Sequence, residues 1–163
     1  MFYDRIFKLL NSKRIKYLVI GGVAVNLHGF KRATGDLDIL ISLEDKNIKK
    51  FVDLMKSLNW RPRLPVDMNE FADSKQRQKW IKTKGMKVFS VYNPKLALEH
   101  IDVMMENYID FVSAYRRRKV VSDGNLKISI ISIQDLIKLK KIAGRERDQI
   151  DIHALEQIRR LKL

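Results

Sequence analysis

Residues 21–38 read Gly-Gly-Val-Ala-Val-Asn-Leu-His-Gly-Phe-Lys-Arg-Ala-Thr-Gly-Asp-Leu-Asp, and they join two apolar runs. Upstream, Lys16 to Ile20 (KYLVI) is a short buried-strand pattern, and downstream Leu37 to Ser42 is a second strand. Between them Gly21-Gly22 ends the first strand, and VAVNLHG reads as a short helix closed by Gly29. Asp36 and Asp38 stand at the mouth of the second strand. Alternate strand residues share a face, so the two aspartates project together while Leu37, Ile39 and Ile41 point the other way. Carboxylates that close raise each other's pKa unless a cation neutralises them. Hard oxygen donors without histidine or cysteine suit magnesium.

A third acid lies in His100-Ile101-Asp102-Val103-Met104, where alternation sets Asp102 opposite Ile101, Val103 and Met105. Three carboxylates on neighbouring strands can hold two divalent ions in the manner of polymerases. Each piece alone is weak: Asp-x-Asp is common, and a lone strand aspartate is more often an edge or cap residue. The ordered combination is specific: strand, Gly-Gly, short helix, then Arg32-x-Thr34-x-Asp36-x-Asp38 running into a strand.

That combination resembles the nucleotidyltransferase superfamily, whose core is DNA polymerase β-like. Its signature is Gly-Gly, a spacer, Asp-x-Asp and a later strand Asp, which Gly21, Gly22, Asp36, Asp38 and Asp102 match. The resemblance implies catalytic and metal-binding roles for the three aspartates, with two Mg2+ ions and a nucleoside triphosphate (NTP) as co-substrate. It implies phosphate contacts for Gly21, Gly22 and Thr34, with Arg32 beside them; glycine lets backbone N–H groups at a helix start approach an anion. The second glycine is followed by Val23 rather than the serine of many members, leaving open which hydroxyl meets phosphate.

Near the C-terminus, LIKLKKIAGRERDQIDIHAL (residues 136–155) is similar to a motif of the abortive-infection (AbiE-type) toxin nucleotidyltransferases and their relatives. Lys140, Ala143, Arg145, Arg147, Asp148 and Asp151 fit it. Asp148 and Asp151 share a stripe with Ile152, Leu155 and Ile158, and Lys140 shares a face with Leu136, Ile137 and Ala143, so these charges face inward. Inward charges are paired or functional. An ion-pair network joining the two helices and presentation of Lys140 to a triphosphate are compatible, and the resemblance places Lys140 and Asp148 at the nucleotide.

The rest of the chain fits an α/β (α+β) domain with a mixed sheet flanked by helices and a C-terminal helical pair. Helical spacing covers Phe2 to Asn11, Glu44 to Leu58, 68–82, Asp110 to Arg117, Ile133 to Ala143 and Arg145 to Leu161. Strand patterns cover Met86 to Tyr92 and His100 to Met105. Val120-Val121 and Leu126 to Ile131 flank a Ser122-Asp123-Gly124-Asn125 turn as a hairpin, and Trp60 to Pro65 reads as a loop. The length of 163 residues predicts one domain, with a catalytic core of about 1–131 and terminal helices of about 132–163.

Composition narrows the partners. Thirty-three Lys and Arg against 19 Asp and Glu give a net charge of +14, which attracts polyanions. Basic residues cluster at Lys46, Lys49 and Lys50, at 75–87, and at Arg116-Arg117-Arg118-Lys119; solvated helix faces are the plainer explanation. No apolar run approaches the ~20 residues that span a bilayer, and the absence of cysteine fits a reducing cytoplasm and excludes thiolate zinc. No P-loop or dinucleotide fingerprint occurs.

Three functions compete. The toxin-like resemblance implies an RNA acceptor such as a tRNA 3′ end, together with an antitoxin protein partner, and the charge favours that acceptor. A hydroxylated small molecule such as an aminoglycoside or a lincosamide, or a protein, is the alternative acceptor; aminoglycosides are cationic, and the basic surface argues against them. A non-catalytic nucleic-acid-binding protein of the same fold is the third, and the presence of all three acids speaks against it.

Overall fold

Leu37, Ile39 and Ile41 have no solvent-accessible surface, and neither do Ile101 and Val103; these two alternating runs become neighbouring central strands. The computed structural model describes residues 3–161, and the expected helix start at Phe2 lies outside them. The helices are α1 (Asp4–Ser12), α2 (Gly21–His28), α3 (Asp45–Ser57), α4 (Ser74–Lys84), α5 (Phe111–Arg116), α6 (Ile133–Ala143) and α7 (Glu146–Leu161). The strands are β1 (Tyr17–Val19), β2 (Leu37–Ile41), β3 (Arg61–Pro62), β4 (Val88–Asn93), β5 (Leu96–Met104), β6 (Lys119–Asp123) and β7 (Leu126–Ile130).

These strands form one sheet in the order β3-β4-β5-β2-β1-β7-β6. β2 runs parallel to β5 and antiparallel to β1, and β1 runs parallel to β7. The sheet is therefore mixed, as the alternation of strands and helices predicts. β6 and β7 pair as the expected antiparallel hairpin.

Three local expectations change. Arg61–Pro62, expected in a loop, adds a two-residue edge strand against Tyr92 and Val91; a proline is tolerated there because an edge strand has one unpaired side. The helix expected over 68–82 is two pieces. A 3-10 turn at Met68–Ala72 ends at Asp73, whose side chain accepts from the Lys75 amide and starts α4. Gly21 and Gly22 do not merely end β1 but form the first turn of α2.

The two sheet faces have different covers. Ser90, Asp102 and Asp38 are partners across β4, β5 and β2, so they lie on one face, while Phe89, Val103 and Ile39 lie on the other. On that second face Phe89 stacks on Phe71 at 4.3 Å between ring centres and on Trp80 at 6.0 Å, and Phe71 meets Phe51 edge-on. Thus α3, the 3-10 turn and α4 cover the back. On the carboxylate side, α2 contacts β2 and also packs on α6 and α7.

Phe89 is 1% exposed between two parallel rings, so Phe89→Ala should destabilise the fold by about 3–5 kcal/mol. Urea denaturation measures it, and a loss below about 1 kcal/mol would show that the aromatic stack is not the back-face core.

Candidate active site

The register of β2 and β5 places Asp38 directly beside Asp102. Burial and the charges of Asp102 and Asp36 push the Asp38 carboxyl up to about 6, although Arg145 and Lys140 pull it down. Asp102 also accepts a 2.5 Å hydrogen bond from Ser90 Oγ across the β4–β5 pair. Asp36 is placed differently. Its side chain is 63% exposed, and Oδ1 lies 3.0 Å from His100 Nε2. Among the described residues no three acids or histidines are gathered into a ready coordination group.

The glycines fit against these acids. Gly21 has φ +62°, and a Cβ there would overlap the Asp38 carboxylate; only glycine brings backbone this close in that conformation. A Cβ on Gly22 would stand 2.5 Å from Thr34 Oγ1 and 2.6 Å from Arg32 Nη2. The helix start is therefore covered by a hydroxyl and a guanidinium. Asn26 fixes the returning loop by donating to the Arg32 carbonyl and accepting from the Arg32 amide. Tyr3 Oη donates to the Gly35 carbonyl at 2.6 Å; burial and the nearby acids push its phenol up to about 12, so it is a neutral donor.

The inward charges of the last helices are an ion-pair network. Lys140 Nζ donates to Asp148 Oδ1 at 3.2 Å and to Asp151 Oδ2 at 2.6 Å. Arg145 Nε donates to Asp148 Oδ2 at 2.8 Å, and Arg32 Nη1 lies 3.5 Å from Asp151 Oδ2. Burial alone would raise Asp148, but the hydrogen bonds from Arg145 and Lys140 hold it below the usual carboxylate range. Three cations meet two carboxylates, leaving a net positive charge close enough to act on Asp38. Arg32 Nε and Asp151 Oδ1 are buried without a hydrogen-bond partner.

Sequence reasoning missed Ser90 and Tyr3. A serine facing an acid across a hairpin and a tyrosine donating to a distant carbonyl are visible only once register and packing exist. His28 is buried with Nε2 2.8 Å from the Ile131 carbonyl oxygen. Trp60 and Trp80 are core residues.

Solved structures share this fold. An antigenic nucleotidyltransferase-like protein from Paracoccidioides brasiliensis superposes with a TM-score of 0.60 at 16% identity, over 97% of this chain and 73% of that one. The lincosamide antibiotic adenylyltransferase LnuA, with lincomycin bound, gives 0.61 at 15% identity over 94% of each chain. ANT(2″)-Ia in complex with adenylyl-2″-tobramycin gives 0.56 at 10% identity, over 96% of this chain and 90% of that one. At such identities the likeness is one of fold. No curated protein sequence matches. The family model for nucleotidyltransferases of unknown function (DUF6036) matches residues 4–163. The chain belongs to that family and is a nucleotidyltransferase.

Two expectations test the electrostatics. Asp38 binds a proton more tightly folded than unfolded, so without divalent cations its ionisation costs stability as pH rises from about 4 through about 6. Asp38→Asn should therefore raise stability at pH 7.5 by about 1–3 kcal/mol, and thermal melts should show the gain vanishing towards pH 4. Lys140→Met leaves Asp148 and Asp151 short of a buried partner and should cost about 3–5 kcal/mol in denaturant titrations. An unchanged midpoint would mean that Arg145 and Arg32 compensate the acids by themselves.

Proposed function

We propose that the chain transfers a nucleoside monophosphate from an NTP to a hydroxyl of RNA, in the tRNA size range, releasing pyrophosphate. The observation that carries the transfer is the side-by-side placement of Asp38 and Asp102, with Gly21 pressed against Asp38. The donor set suits a hard cation: it is all carboxylate oxygen, and Asp38 is burdened by like charge. Asp36, Asp38 and Asp102 would hold two magnesium ions, Asp36 leaving His100 to join them. When bound, the metal supplies neutralisation of the triphosphate and a more acidic acceptor hydroxyl.

The chain's own residues do the positioning. The Gly21-Gly22 turn offers backbone N–H groups to the phosphates, and Thr34 adds a hydroxyl beside them. Arg32 has a buried Nε without a partner, a donor suited to a phosphate oxygen. Lys140, oriented by Asp148 and Asp151, and Arg145 keep positive potential where pyrophosphate charge develops. Ser90 holds the Asp102 carboxylate in place by donating to its Oδ1.

The net charge of +14 and the similarity of α6 and α7 to the toxin-type motif support RNA as acceptor, in a cytoplasmic setting with an antitoxin as counterpart. A second reading has its own observation. A pocket of about 520 Å³ beside Asp36 has apolar walls from Tyr3, Val23, Leu27 and Leu98, suited to a neutral hydroxylated small molecule, and one fold neighbour is a lincosamide adenylyltransferase.

The test incubates the protein with magnesium, each α-labelled NTP in turn, and either total cellular RNA or lincomycin, alongside Asp36→Asn and Asp102→Asn. Label should enter tRNA-sized RNA with the wild type and fall at least about a hundredfold in both variants, since each removes a charge that the transition state requires. Label in lincomycin alone selects the second reading. Wild-type turnover by either variant refutes the carboxylate assignment.

A further inference from the structure

Two of the basic clusters named above lie on opposite sides of the sheet. The richer one in sequence, the 75–87 segment, belongs to α4 and its exit. Lys75, Lys79, Lys82 and Lys84 are exposed, but α4 is anchored on the back through Trp80 stacked on Phe89. Arg77 is buried there, donating to the carbonyls of Phe71 and Ala72. The other surface is at the ends of α2 and α7, which pack together on the carboxylate side. A hollow of about 330 Å³ is lined by His28, Arg117, Lys119, Gln134 and Arg159, with Arg116 and Arg160 exposed next in sequence.

We infer that this hollow grips the phosphodiester backbone of the RNA acceptor and that the α4 lysines do not; the inference rests on the RNA reading above. Three of its elements, α2, α6 and α7, are those of the carboxylate face, and Arg117 and Lys119 join them from the α5–β6 connection. His28 ends the same α2 that begins with the glycine turn, and Arg159 lies on the α7 that carries Asp148 and Asp151. Arg117 is partly neutralised, donating from Nε and Nη2 to buried Asp135 at 3.1 Å each; among the described residues that line the hollow there is no acid, so these residues give it a cationic lining. The eight residues of α2 span about 12 Å, the axial rise of roughly three to four stacked nucleotides of one strand. A strand held in the hollow therefore needs only a few nucleotides to bring its end to the acids.

The experiment compares two charge reversals of equal size, Arg159→Glu/Arg160→Glu on the carboxylate face and Lys79→Glu/Lys82→Glu on the back. Fluorescence anisotropy with a labelled tRNA transcript is read from about 0.05 to 0.2 M salt. The front variant should bind at least about tenfold more weakly with a shallower salt slope, and the back variant within about twofold of wild type. Equal losses would mean that net charge alone is sensed and would overturn the inference, as would wild-type affinity in the front variant. Transfer to the trinucleotide CpCpA, too short to fill both places, should survive in the front variant; its loss would tie these arginines to the fold or to catalysis and overturn the proposal. The milder Arg116→Gln/Arg160→Gln pair, with circular dichroism unchanged, repeats the measurement should the double reversal fold poorly. A wild type that labels lincomycin but neither binds nor labels RNA refutes the acceptor reading itself.

Discussion

Parallel pairing of β2 with β5 is the constraint from which the site follows. It sets Asp38 and Asp102 in adjacent register on one face, and two carboxylates there cost free energy in the absence of a cation. The surroundings answer that cost. Backbone at Gly21 closes on Asp38 from the helix start, Ser90 donates to Asp102 from β4, and Lys140 and Arg145 contribute positive potential from the C-terminal helices. Three separate parts of the chain thus converge on one electrostatic problem.

The same cations have a second duty. Lys140 sits at 4% exposure with Asp148 and Asp151 at 1% each, so the network lies in the seam between α6 and α7. Buried ion pairs add little stability compared with apolar replacements, but breaking one is costly. Through Arg32 the network also reaches the loop that carries Thr34 and Asp36. The terminal helices are thereby held in register with the acids, and the residues that dock them are those to which the proposed mechanism assigns the triphosphate.

Much of this was legible in the chain because it depends on short-range periodicity. Strand alternation puts Asp38 opposite Leu37 and Ile39, and helical spacing puts Lys140, Asp148 and Asp151 inward; both patterns are intrinsic to the backbone. What could not be read depends on contacts between distant segments. Ser90 and Tyr3 acquire meaning only from what they meet across the sheet and the loop. The pairing of exposed Asp36 with His100 is set by side-chain rotamers. The back-face location of α4 depends on which parity of β4 meets Phe71 and Trp80; composition alone treats all 33 basic residues as equivalent.

The central sheet also sets the two surfaces apart. Between the α4 lysines and the acids stand Phe71, Trp80 and Phe89, all at 2% exposure or less, with fully buried Ile39 and Val103, so the two sets of charges meet solvent and its ions on opposite sides. Charge on the back can therefore drift under selection for solubility or expression with little echo at the front, because exposed charges are screened within about a Debye length. Evolution has a free surface on one side of this molecule and a constrained one on the other. An engineer seeking a site for a dye, a tag or a surface tether would find it on α4.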